Sequence, residues 1–87
     1  MKPDDNTLNE LKSKLNDCKV FWFRDIGKNC LQVIYQMTVI AEVAIVFRDY
    51  YRICVTAFEP GYRAWSYYYD ETDLAAQKIM NVFEKFT

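Results

Sequence analysis

Residues 31 to 47 read LQVIYQMTVIAEVAIVF, a run without Gly, Pro, Asn or Asp and with a single charge, Glu42. A chain of 87 residues must hide such a run in a membrane, along a helix or in a sheet. A membrane span needs about 17 to 25 mostly apolar residues. Gln32, Gln36 and Glu42 interrupt this one, and no basic flank marks a cytoplasmic end. On a helical wheel, Gln32, Gln36, Thr38 and Glu42 scatter over about half the circumference, among Leu31, Tyr35, Val39, Val43 and Val46. Parity separates them cleanly. Leu31, Val33, Tyr35, Met37, Val39, Ala41, Val43, Ile45 and Phe47 are all apolar, and every polar residue is even-numbered. A period of two is the pattern of a strand with one buried face. The β-branched residues Val33, Ile34, Thr38, Val39, Ile40, Val43, Ile45 and Val46 suit the same structure.

One straight strand of that length would span about 56 Å, against a radius of gyration of about 12 Å for a domain this size. The run must therefore break. A hairpin around Tyr35 to Thr38 would need an odd-length loop to keep the parity, and no turn residues are present. The expectation is two strand segments meeting at a bend near Gln36 to Thr38. Pairing of one end with a second copy is the other way out.

The flanking sequence supplies the remaining elements. TLNELKSKLNDC (7–18) predicts a helix. Thr7 and Glu10 form a capping box, and Leu8, Leu11, Leu15 and Cys18 form an apolar stripe. KVFWFRDI (19–26) reads as a strand closed by the turn-like DIGKN. After a tight turn at RDYY, YRICVTAF (51–58) and YRAWSYYY (62–69) read as strands flanking a Pro60-Gly61 type II turn. A last helix begins near Asp70 or Thr72, with Ala75, Ile79, Val82, Phe83 and Phe86 on its apolar face. Short connections imply antiparallel pairing. The predicted fold is a single α+β domain over residues 1–87: a four- to five-stranded antiparallel sheet with N-terminal and C-terminal helices packed on one face.

The chemistry is bounded mainly by what is missing. The chain has no His, which removes the commonest general base and metal ligand together with Ser-His and Cys-His nucleophile pairs. Ser13 and Ser66 lie outside any nucleophile-elbow pattern, and Gly27 and Gly61 cannot build a phosphate loop. A non-enzymatic protein without cofactor is expected. Asp70, Glu71 and Asp73 form an acidic cluster whose ordinary role is to open a helix; a cation site or an acidic patch for a basic partner is the functional alternative. Cys18, Cys30 and Cys54 match no metal or redox spacing and read as reduced, small apolar residues. The polar, acidic start MKPDDNTLNELK carries no signal-peptide or lipidation pattern, which with reduced thiols predicts a cytoplasmic location away from membranes.

What the composition does offer is aromatics, 17% of the chain, several interleaved with Arg. Trp22 and Arg24, Tyr51 and Arg52, Arg63 and Trp65 recur on predicted strands, with Tyr67 and Tyr69 following. Such residues make protein–protein hot spots and can stack unpaired bases. A net charge of −1 gives no general pull toward nucleic acid. Apolar groups alternate onto both sides of the predicted strands, more than two helices can cover, so the second face should meet a partner or another copy. The sheet-on-sheet homodimer is one such arrangement.

The candidate contact residues are therefore Trp22, Arg24, Tyr51, Arg52, Arg63, Trp65, Tyr67, Tyr69, Asp70, Glu71 and Asp73. The leading expectation is a small protein-binding module that inhibits a larger macromolecule by covering its surface. A nucleic-acid module using Arg24, Arg52 and Arg63 with Trp22 and Trp65 ranks second, and an intracellular small-molecule sensor third. A compact acidic α+β chain without a catalytic set is similar in general build to phage- or mobile-element-encoded inhibitors such as anti-CRISPR proteins, and to toxin-immunity proteins; no motif carries the likeness.

Overall fold

A computed structural model describes residues 6–16, 20–48, 50–59 and 63–86. Its elements are α1 (Thr7–Asn16), β1 (Trp22–Gly27), β2 (Cys30–Tyr35), β3 (Thr38–Arg48), β4 (Tyr50–Glu59), β5 (Arg63–Tyr69) and α2 (Thr72–Glu84). The five strands form one antiparallel sheet in the order β1-β2-β3-β4-β5. Each strand pairs with its neighbour in sequence because the connections are too short to cross the sheet. This is the α+β architecture that the alternation and the flanking helical patterns predict.

The long run is where expectation and structure part. The chain does not bend; it reverses. Gln36 and Met37 have φ of 48° and 65°, and Tyr35 pairs with Thr38 across them. Positive φ at both central residues belongs to the two-residue turn whose twist matches paired strands. An even loop should invert the parity of everything after it, yet odd residues face the core on both sides. A bulge restores them. Ile34 pairs with Val39 and Val33 with Ala41, so Ile40 is an extra residue opposite one partner. Beyond it, Ala41 and Val43 face inward beside Val33 and Leu31.

Three odd residues depart from the predicted buried row. Met37 is 99% exposed at the turn tip, Val39 shares the opposite face with Ile34, and Phe47 is 67% exposed near the end of β3. Even-numbered Ile40 is fully buried instead.

The helix-covered face holds the core. Leu31, Val33, Ile40, Ala41, Val43, Ile53, Val55 and Ala57 from the sheet pack with Leu11 and Leu15 of α1 and Ala75, Ile79 and Val82 of α2. Phe83 stacks edge-on against both Phe21 and Tyr35, at ring-centroid distances of 5.1 and 4.8 Å. α2 lies mainly across β4, and α1 packs chiefly against α2.

Glu10 joins the helices: its Oε1 accepts a hydrogen bond from the buried Thr72 hydroxyl at 3.1 Å. The carboxylate expected to cap its own helix thus reaches across to the other. The helix expected over 7–18 is described as α1 as far as Asn16, and β1 begins at Trp22. Cys18, Asp49 and the Pro60-Gly61 turn lie outside the described residues. Among the described residues no helix is long and apolar enough to cross a membrane.

Candidate interaction surface

The other face of the sheet is the site the strand registers build. Its rows run Trp22–Ile34–Val39, then Arg24–Gln32–Glu42–Thr56–Ser66, then Cys30–Ala44–Cys54–Tyr68, each residue beside its cross-strand partner. Four residues of the middle row bond to one another: Gln32 Nε2 donates to Glu42 Oε1 at 3.1 Å, and the Thr56 and Ser66 hydroxyls lie 3.1 Å apart. The outer rows are apolar. At one end Trp22, 76% exposed, joins Ile34, Gln36 and Met37 around an open depression of about 520 Å³. An indole and a thioether both held in solvent are an unfavourable surface unless something covers them.

The predicted contact residues divide between the two faces. Trp22, Arg24 and Arg52 lie on the open face. Trp65, Tyr67 and Tyr69 stand opposite Ala57, Val55 and Ile53 on the helix-covered side. Lys78 Nζ sits 3.8 Å from the centroid of the Tyr67 ring, and burial, with a smaller effect of Tyr67, pushes the Tyr69 phenol up. Tyr51 packs edge-on against Phe47 at 5.1 Å. Arg63 faces Glu59, whose carboxylate accepts from Lys85 Nζ at 2.8 Å and is held below its ordinary pKa chiefly by that bond. The three arginines singled out by sequence therefore do not share one surface.

The acidic cluster is drawn apart too. Asp70 accepts from Arg52 Nε at 3.3 Å, Asp73 pairs with Lys14 of α1, and Glu71 takes the N-cap position of α2 in extended backbone. Asp70 and Asp73 thus serve internal ion pairs at the surface, where such pairs contribute little stability. Among the described residues no group of three or more acidic or Cys residues is placed to hold a metal ion.

Cys30 and Cys54 are free thiols separated by Ala44, two strand spacings or about 10 Å apart, too far for a bond between them. Burial first, then the Glu42 carboxylate and Cys54, push the Cys30 thiol up. Less thiolate means slower nucleophilic reaction. Alkylation with iodoacetamide at pH 8, followed by peptide mass spectrometry, should modify Cys30 several-fold more slowly in the folded chain than in urea. Equal rates would refute this assignment of its environment.

Ile34, Gln36 and Met37 escape a reading by parity, which places Met37 in the core. Their one trace in the sequence is Gln36, a polar residue inside a run too long for one strand. No protein family, curated protein or solved structure matches this chain.

Proposed function

We propose that the chain is a small non-enzymatic binding module whose open sheet face covers part of a larger protein, with the Trp22–Ile34–Gln36–Met37 end as its anchor. One observation carries this reading: among the described residues the most exposed Trp, Trp22 of β1, and the most exposed Met, Met37 at a turn whose two central residues have left-handed backbone, lie together around one apolar depression. Trp is among the residues most enriched at interface hot spots, and backbone strain held at an exposed tip points to use of that tip. Inhibition by surface occlusion suits a module whose open face extends over five strands. Phage or mobile-element inhibitors of the anti-CRISPR kind, and immunity proteins, are the functional class this build suits, with a cytoplasmic setting for its free thiols.

The test is capture from a lysate of the source organism with tagged wild-type chain and with a Trp22→Ala/Met37→Ser variant. Both substitutions are at exposed positions, so the variant should keep its circular dichroism spectrum and Tm. Its affinity for the captured protein should fall about 30-fold or more, the size of a hot-spot loss. Undiminished capture by a folded variant would remove the anchor from this reading.

A further inference from the structure

The two edges of the sheet are not alike. β1 carries Arg24 and Asp25, and its pairing with β2 slips between Asp25 and Gly27, leaving Ile26 as a bulge. Charges and a bulge are the ordinary means of keeping an edge strand from pairing with another chain. β5 has neither. All seven of its residues pair with β4 in one unbroken register, from Ile53 with Tyr69 to Glu59 with Arg63. RAWSYYY contains no Gly or Pro, its one charge stands at its first residue, and Tyr, Trp and Ser fill most of the rest. Among the described residues, its outer side is the end of the sheet. Alternate backbone N–H and C=O groups along that side point away from β4, as in any edge strand.

We infer that β5 is a docking edge for a second copy of this chain, pairing antiparallel with the same strand across a two-fold axis to give a continuous ten-stranded sheet. Three features select the second copy as occupant. An antiparallel pair of identical strands is related by an axis normal to the sheet, so both sets of helices fall on one side and paired residues must have like parity. The register that uses the whole strand centres on Ser66, placing Ser66 opposite Ser66 and Trp65 opposite Tyr67 of the second copy. Aromatic cross-strand pairs of that kind are among the favourable ones, and Trp65 is half exposed in the single chain. The ends are complementary in charge as well. β5 opens with Arg63 and is followed by Asp70 and Glu71, and antiparallel pairing brings each opening end to the other's close. The inference is independent of the proposed target-binding anchor, which lies at the β1–β2 end of the open face; pairing at β5 would present two such anchors on one side of the assembly.

The experiment combines mass with register. Light scattering of the wild-type chain at high micromolar concentration should give twice the 10.4 kDa chain mass. Ser66→Lys places like charges opposite each other at the axis and should weaken association roughly tenfold or more. Directly opposed residues in an antiparallel pair have Cα atoms about 4.5 to 5.5 Å apart, within disulfide reach. The Ser66→Cys variant should therefore cross-link to a second copy of itself under mild copper–phenanthroline oxidation. Mass spectrometry should then find two identical β5 peptides joined through the introduced thiols. Ala64→Cys and Tyr68→Cys should each fail alone and cross-link when mixed. A monomeric wild type overturns the inference. So does a dimer in which the Ser66→Cys variant forms no such bond, including a dimer lost on Trp22→Ala, which would mark packing through the open face. Self-cross-linking of Ala64→Cys as fast as Ser66→Cys would overturn it equally. The cysteine changes are small, so they decide the matter even where Ser66→Lys fails to fold.

Discussion

Ile40→Ala should lower the free energy of unfolding by about 3 kcal/mol, while Val39→Ala, one residue earlier, should cost less than about 1 kcal/mol. The contrast follows from the two-residue turn, which sets Thr38 beside Tyr35 on the helix-covered side and so turns Val39 outward and Ile40 inward. Ile40 is fully buried under the helices, so truncation removes apolar contact and leaves a cavity that a close-packed layer cannot fill. Val39 sits on the open face beside Ile34, where water replaces what is removed. For a domain expected to be stable by roughly 4 to 13 kcal/mol, the Ile40 loss is a large fraction and should lower Tm by roughly 12 to 24 °C. Urea unfolding with an unchanged slope is the measurement. An unbroken row of odd residues would place Val39 inward, and an equal or larger effect at Val39 would mean that the chain does not reverse through a two-residue turn at Gln36 and Met37.

The second large effect is a gain. Gln36→Asn with Met37→Gly should stabilise the chain by about 1 to 2 kcal/mol, because left-handed backbone costs an ordinary side chain about that much and Asn-Gly suits both positions. Nothing buried is lost, since Met37 is almost wholly in solvent. The slope in urea should again stay constant while the midpoint rises. A lower midpoint would show that the turn is not of this type. The same pair should also lose affinity for the target, because it deletes Met37 from the anchor. A turn that is worse for folding but better for binding is a familiar compromise at functional positions.

These two predictions mark how far sequence reasoning reaches. Strand structure in residues 31–47 is legible because burial on one face imposes a period of two, and the helices because their apolar residues recur at helical spacing. The hairpin is hidden by a cancellation. A two-residue turn shifts parity by one step, the inserted Ile40 shifts it back, and the row of odd apolar residues reads as unbroken. Neither half of the cancellation carries Gly, Asn or Asp, the residues by which such turns announce themselves. The site is partly legible for the same reason. Trp22 and Arg24 are found as exposed strand residues, but the aromatic character of Trp65, Tyr67 and Tyr69 does not reveal which side of the sheet they occupy. That depends on pairing with Ala57, Val55 and Ile53, a tertiary fact. The Asp70–Glu71–Asp73 cluster is dispersed by Arg52 and Lys14, whose approach depends on the packed helices and sheet rather than on spacing.

The packing of α1 against α2 sets an order of events during synthesis. The hairpins of the meander can close within about 1 to 10 μs once their strands are available. Leu11 and Leu15 must wait for a helix made 62 residues after Glu10, about 3 to 12 s at ordinary rates of translation. As that interval closes, the nascent chain holds strands whose greasy side is still uncovered, and it is then that a chaperone would find most to hold.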